Sequence, residues 1–426
     1  MRGKIALRNL LESHGGDRGA CAGHLLHLVG LTDRNGQRYR GRGGRPELRD
    51  PADGVPRLDL SQCSLRNLAE EFIGEDAVER WMNPNATRAL LEAGAGAIPP
   101  SVFSNINAFT GVTSGLIEVA ILQGYQNPMF IGDQLMPTEP SRQFEGRKTI
   151  GVSRIGDVAE ERLPGMPTAR AKIGERWITQ PRTVENALAV EILQETVYLD
   201  LTGQAVSEGT DVGTWVRYRK ELRQIDAWIG VTNNYNYKGS TYNTYLTSGN
   251  WINDKSGNEL ITQENVKAAW ILFRDMTDQE TGTRILTNPN AVLVQREYLD
   301  RVTALLGSPN LQYQVTPALA DTAIRRAVDG PSIYAGKYEI LESPLVYERI
   351  NAATGLNQSA ANAAKYWWMF EKGKPMVYVE NVPFRVQSAS PGQLDMIDRG
   401  VVLYVKADER GVPMVKDPRF VVRNTG

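Results

Sequence analysis

The chain has 426 residues, of which 41% are hydrophobic and 23% charged, enough for one large or two to three ordinary domains with a sizeable buried core. Its 48 basic and 49 acidic residues leave a formal charge of -1, which excludes a globally basic nucleic-acid binder and confines any such contact to local patches. No apolar run approaches the roughly 20 residues that span a bilayer, and residues 1–11 are too polar and basic for a secretory core, so the chain reads as cytosolic with no membrane partner.

Residues 34–57 carry Arg34, Arg38, Arg40, Arg42, Arg45, Arg49 and Arg57 among Gly, Pro and acidic residues. Such a stretch buries too little apolar area to offset its ordering entropy. Two readings stand: a solvated linker, or an arm whose guanidinium groups pair with phosphates or acidic neighbours. Cys21 and Cys63 are too few for a disulfide framework and lack C-x-x-C spacing.

From Leu65 the spacing of Leu65, Leu68, Ala69, Phe72 and Ile73 predicts a short amphipathic helix closed by Gly74. Residues 86–93 read as a further helix and residues 94–100 as a Gly/Pro linker, where the first domain boundary is placed. Residues 110–123 form the next predicted helix, closed by Gly124.

An extended excursion then occupies residues 144–191. Residues 148–152 and 171–184 have strand character, and the segment around Leu163, Pro164, Gly165, Met166 and Pro167 reads as the polar tip of a long hairpin. An isolated two-stranded ribbon has no buried face, so it needs a neighbour: its own domain, or an adjacent subunit, which is the preferred reading.

Residues 207–209 read as a turn. Residues 211–230 are the strongest predicted helix, with Val212, Trp215, Val216, Leu222, Ile225 and Ile229 near 3.6 spacing, a Thr210 or Asp211 cap and a Gly230 stop. Residues 232–245 are dense in Asn and Tyr. That composition suits a polar loop with packed tyrosines better than a base-stacking platform, because Lys238 alone supplies positive charge.

Thr262 caps a predicted helix carrying Val266, Ala269, Trp270 and Phe273, the Asn288-Pro289-Asn290 turn leads into a buried strand, and residues 298–306 read as helical. The C-terminal part is strand-rich: residues 366–370, 376–379, 384–387, 400–406 and 420–422. Trp367 and Trp368 would face opposite sides of a strand, at least one of them into the core. The fold class is α+β.

Catalytic constellations are scarce. His14, His24 and His27 lack H-E-x-x-H spacing, Gly41-Arg42-Gly43-Gly44 neither follows a predicted strand nor opens a helix, and no G-x-S-x-G occurs. Glu160 and Glu161 sit at a hairpin tip where solvent keeps both ionised, whereas a general acid needs a raised pKa in a cleft. No cofactor and no metal are expected, and by elimination the chain reads as an assembly protein.

The order of these elements, over about residues 101–423, resembles the tailed-bacteriophage major capsid protein family, the Hong Kong 97-type fold. The resemblance implies an N-terminal extension at 1–100, scaffolding-like or an arm, and an N-arm with its helix at 101–130. A first part of a peripheral domain follows at 131–235, with an E-loop at 144–190 and a spine helix at 211–229. An axial domain at 236–374 and the returning peripheral strands at 375–426 complete it.

It further implies a subunit that assembles as hexamers and pentamers into an icosahedral virion capsid in the host cytoplasm. That shell would enclose double-stranded DNA by weak non-specific contact, with portal, scaffold, protease or decoration proteins as further partners. Glu160, Glu161, Arg162, Leu163, Pro164, Met166, Arg170 and Lys172 would be E-loop contacts to a neighbouring subunit. Arg38, Arg40, Arg42 and Arg45 would be interior or clamp contacts. Lys172 has the position of a crosslink donor, but nothing identifies an acceptor, so no crosslink is predicted. The alternatives are an encapsulin-like nanocompartment shell, which shares the fold but encloses enzymes, and a hydrolase using Glu160 or Glu161.

Overall fold

The computed structural model describes residues 17–33, 35–41, 46–49, 64–73, 100–150, 164, 177–200, 204–232, 235–249, 251–277, 284–307, 310–314, 327–331, 334–389 and 399–426. In chain order the helices are α1 (Arg18–Leu28), α2 (Leu65–Ile73), α3 (Pro100–Tyr125), α4 (Gly132–Leu135), α5 (Gln194–Leu199), α6 (Gln204–Ile229), α7 (Gln263–Asp275), α8 (Leu299–Val302), α9 (Pro344–Asn351) and α10 (Ala360–Ala363). The strands before α7 are β1 (Thr138–Pro140), β2 (Lys148–Ile150), β3 (Trp177–Thr179), β4 (Val184–Leu193), β5 (Tyr235–Tyr237), β6 (Ser240–Tyr242) and β7 (Asp254–Lys255). After it come β8 (Ala291–Val294), β9 (Asn310–Gln314), β10 (Ala327–Pro331), β11 (Glu339–Glu342), β12 (Trp367–Phe370), β13 (Met376–Ala389), β14 (Val401–Val415) and β15 (Val421–Asn424).

The mixture is α+β, and it divides into two units. The first comprises Met1–Pro128, Glu185–Lys220 and Val382–Arg410; the second comprises Met129–Val184, Glu221–Asn381 and Gly411–Gly426. The division falls inside α6, β13 and β14.

The first unit is built around α3. The sequence suggests one apolar stripe, but Val112, Leu116, Ile117, Val119, Ala120, Ile121 and Leu122 are all buried, as in a helix enclosed on every side. Its core also takes in Cys21 and Leu25 of α1 and Val29 just after it, Leu65, Leu68, Ala69 and Phe72 of α2, and Val206, Val212 and Val216 of α6.

The helix runs longer than the predicted residues 110–123, and Gly124 lies within it instead of ending it. A Cβ on Gly124 would stand 2.0 Å from the Thr210 carbonyl oxygen, and one on Gly213 would stand 1.9 Å from that of Ile121. These glycines let two helix backbones approach closely. For the same reason the predicted turn at residues 207–209 does not exist: α6 starts at Gln204 and runs straight through Gly209 and Gly213.

α1, which no prediction anticipated, is capped by Asp17, whose Oδ1 accepts from the backbone N–H of Gly19 at 2.9 Å and of Ala20 at 3.3 Å. The predicted helix at 86–93 and the linker at 94–99 lie outside the described residues, and α3 begins at Pro100, a residue suited to the first helical position.

In the second unit a five-stranded sheet has the order β11-β8-β12-β15-β7. Every residue of β8 and β12 is buried, so Trp367 and Trp368 both pack in the interior although they face opposite sides. α7 carries a capping box in which Thr262 and Asn265 satisfy each other's backbone N–H groups. The predicted helix at 298–306 is irregular, a 3-10 turn at Arg296–Tyr298, then α8, then a π-turn at Thr303–Gly307.

A four-stranded sheet has the order β1-β13-β14-β4. Residues 376–379 and 384–387, read separately, are one strand of 14 residues, and residues 400–406 extend into a strand of 15. Pro383 interrupts the sequence pattern of β13 without ending it.

Candidate assembly surfaces

The base of the residue 144–191 excursion is an antiparallel pair, β2 with β3, in the register Lys148↔Thr179 to Ile150↔Trp177. It continues through β5 to β6, giving the sheet order β2-β3-β5-β6. β5 and β6 form a two-residue hairpin at Lys238 and Gly239, both with positive φ (51° and 85°), the geometry of a type I′ turn.

Thus the Asn/Tyr-rich segment is a hairpin in part, not a loop. Its tyrosines pack on one another and on Trp251: Tyr235 and Tyr237 stack at 5.9 Å, and Tyr235 meets Trp251 edge-on at 5.4 Å. The Lys148 ammonium lies 4.4 Å from the centre of the Trp177 ring, a cation–π contact that braces the hairpin base.

Of the expected E-loop contacts, Pro164 is in a turn and exposed. Glu160, Glu161, Arg162, Leu163, Met166, Arg170 and Lys172 lie outside the described residues. Of the expected clamp arginines, Arg38 donates to Glu118 on α3 at 2.8 Å, and Arg40 is exposed in an isolated bridge with Pro46. Arg42 and Arg45 lie outside the described residues.

The Glu118 carboxyl is held above the usual carboxylate range by burial, against the pull of Arg38 in the other direction. This contact ties the arginine-rich stretch to α3 of the same chain.

Periodicity alone missed a second polar feature of the first unit. The Lys220 ammonium, fully buried, donates to the Tyr125 hydroxyl at 3.3 Å and stands 4.0 Å from Glu409. Tyr125 donates to the same carboxylate at 2.6 Å, and Asn186 of β4 donates to its other oxygen at 3.3 Å. The Tyr125 ring stacks on Phe384 at 3.8 Å. One cluster therefore joins α3, α6, β4, β13 and β14. The signal in the sequence was Lys220 four residues after Val216, on the apolar face of the helix.

In the second unit Glu221 accepts from the backbone N–H groups of Ile131 and Gly132 at 2.8 to 2.9 Å. Arg349 forms a two-pronged pair with Asp226 at 2.6 and 3.1 Å. Arg423 pairs in the same way with Asp254 at 3.0 and 2.6 Å and lies 4.5 Å from the centre of the Tyr245 ring. Tyr245 in turn donates to the Trp228 carbonyl at 2.5 Å. Burial pushes the Tyr245 hydroxyl pKa far up, with Arg423 opposing it. These groups hold backbone and one another; their chemistry is that of fixed internal ties.

Among the described residues no set of three His, Cys, Asp or Glu side chains could hold a metal ion, and no helix is long and apolar enough to cross a membrane.

Large apolar side chains remain on the surface, among them Trp215 on α6 at 61% exposure and Phe144 at 54%. β4 is an edge strand with Val184, Leu188 and Leu193 exposed. Edges and apolar patches of this kind are the features through which chains pair with other chains.

No protein-family model and no curated protein matches the sequence. Among solved structures, the chain is similar to a capsid chain of the cyanophage P-SCSP1u, with 12% identity and a TM-score of 0.40 over 70% of this chain and 88% of that one. It is similar to a capsid chain of a native GTA particle, with 13% identity and a TM-score of 0.41 over 70% and 89%. It is also similar to a virus-like particle from Pyrococcus furiosus, with 11% identity and a TM-score of 0.37 over 72% and 98%.

Proposed function

We propose that this chain is a major capsid protein of the Hong Kong 97 type, a structural subunit that builds an icosahedral shell around the double-stranded DNA of a tailed phage. The observation that carries the reading is the order of its elements. A buried helix leads to a hairpin base, then to a 26-residue helix, a mixed sheet unit, and two long strands that return beside β4. In this reading residues 101–130 are the arm and its helix, 131–235 and 375–426 the peripheral domain, 236–374 the axial domain, and 144–190 the E-loop.

The work of such a protein is association. Many identical contacts, each weak, become strong by multiplicity in a closed symmetric assembly. The exposed apolar residues of β4 and α6 supply area for those contacts, and the internal ties at Glu221, Arg349 and Arg423 keep the subunit's shape while it is loaded by its neighbours. A near-neutral chain suits a container whose contents must enter and leave. Hexamers and pentamers are the intermediates this reading requires, with portal and scaffold-type proteins as partners and the virion as its location.

Sedimentation velocity over a range of protein concentration and ionic strength tests the reading. Discrete capsomer-sized or shell-sized species are expected, and a single monomeric boundary under all conditions would overturn it. Nuclease-protected DNA inside shells from an infected host supports the phage container, whereas co-purifying enzyme cargo would identify a nanocompartment instead.

A further inference from the structure

The resemblance to capsid proteins makes residues 1–100 an extension, of the scaffolding-like kind that is often removed during maturation or an arm, yet α1 and α2 are built into the core. Leu26 reaches so near to α3 that a Cβ on Gly115 would lie 2.2 Å from its Cδ2. Cys21, Leu25, Leu68 and Phe72 share one apolar core with Val112, Leu116 and Ala120. Two polar ties fix the ends of this layer. Arg38 pairs with Glu118 at 2.8 Å. The Ser64 hydroxyl donates to the Asp200 carbonyl at 2.7 Å, and the Leu65 N–H donates to the Asp200 carboxylate at 3.0 Å.

We infer that α1 and α2 are a permanent cover for α3, supplied by the same copy of the chain and retained in the working protein, not part of a segment shed during maturation. Without this layer the α3 residues it buries would face water, and the Glu118 carboxylate would lose its guanidinium partner. Buried apolar area of that extent is what sets the stability of a small helical unit. The Arg38–Glu118 pair adds direction more than energy, because Arg38 is 51% exposed. The cover itself rests on packing inside one unit, whereas its retention through maturation rests on the capsid reading.

Hydrogen exchange on the intact full-length chain, at a concentration where it sediments as a monomer, tests it. Amides of α1 and α2 should exchange as slowly as those of α3. In the variant Leu68→Asp, protection of α3 should fall with that of α2 by at least about tenfold, equivalent to ~1.4 kcal/mol. Rapid exchange of α1 and α2 with α3 still protected would overturn the inference. So would protection of α1 and α2 that appears only when copies associate, since the cover would then come from another chain. If Leu68→Asp does not fold, the wild-type comparison decides alone. Mass spectrometry of purified particles supplies the second arm: full-length subunits are expected, and subunits beginning after residue 73 would contradict retention. That arm needs particles and the first does not, so failure to assemble leaves the exchange result standing.

Discussion

Replacing Glu409 by Gln keeps the shape of the Tyr125–Lys220–Glu409 cluster but removes its negative charge. Lys220 and Glu409 are 0% and 1% exposed and stand 4.0 Å apart. At an effective dielectric constant of about 20, two unit charges at that distance attract by ~4 kcal/mol. The Tyr125 hydroxyl, 2.6 Å from the carboxylate, also exchanges a charge-assisted hydrogen bond for a neutral one, a loss of about 1 kcal/mol. Structural relaxation and water entry recover part of this, so a cost of about 3–5 kcal/mol is expected, the range for breaking a buried pair from one side.

The assay is urea unfolding of the unassembled protein followed by circular dichroism. With a slope of about 3 kcal/mol per molar, the midpoint should fall by ~1 M or more. The double variant Lys220→Met/Glu409→Gln should recover at least ~1 kcal/mol of that loss, since it leaves no buried charge without its opposite. A single variant within ~0.5 kcal/mol of the parent, or a double variant whose cost is the sum of two large single costs, would refute the reasoning.

Four further outcomes follow from the same geometry. Gly213→Ala places a Cβ 1.9 Å from the Ile121 carbonyl oxygen and should cost about 1–3 kcal/mol by overpacking in thermal or urea unfolding. By contrast, Gly111→Ala, which meets nothing within 4 Å in the same helical unit, should stabilise by ~0.5–1 kcal/mol. Glu118 has a folded-state pKa raised above 4.5 by burial, with Arg38 opposing. The native state therefore takes up that proton at higher pH than the unfolded chain, and the group's contribution is fullest in acid and lost as pH rises through the folded value. Relative to Glu118→Gln, the parent should gain stability as pH is lowered from 7 towards 4.5; a flat or opposite difference would contradict the burial argument. Asp200→Ala removes the acceptor for the Leu65 N–H and should cost about 1–2 kcal/mol, measured as a lower melting temperature with faster exchange in α2.

The parts of the fold that the sequence made legible are those where one physical rule acts alone. α2 and α7 have clean 3.6 periodicity with a cap, and β8 and β12 are short apolar runs beside turn residues. The misread places are those where a residue serves the partner element instead of its own. Gly124 looks like a helix stop and Gly209 like part of a turn, yet each admits a neighbouring backbone or side chain. Residues 376–379 and 384–387 look like two strands, yet Pro383 between them lies inside one strand of 14 residues. The Lys238-Gly239 turn was hidden because Lys seldom adopts positive φ. The polar cluster around Lys220 could be read only in part, since its carboxylate lies far along the chain at Glu409. Most of the contact residues expected at the hairpin tip lie outside the described residues.

Negative-stain electron microscopy of the purified recombinant protein, across several salt and concentration conditions, tests the central claim most directly. The account predicts closed shells, tubes or five- and six-membered rings. A field of uniform single particles of monomer size under every condition would contradict it.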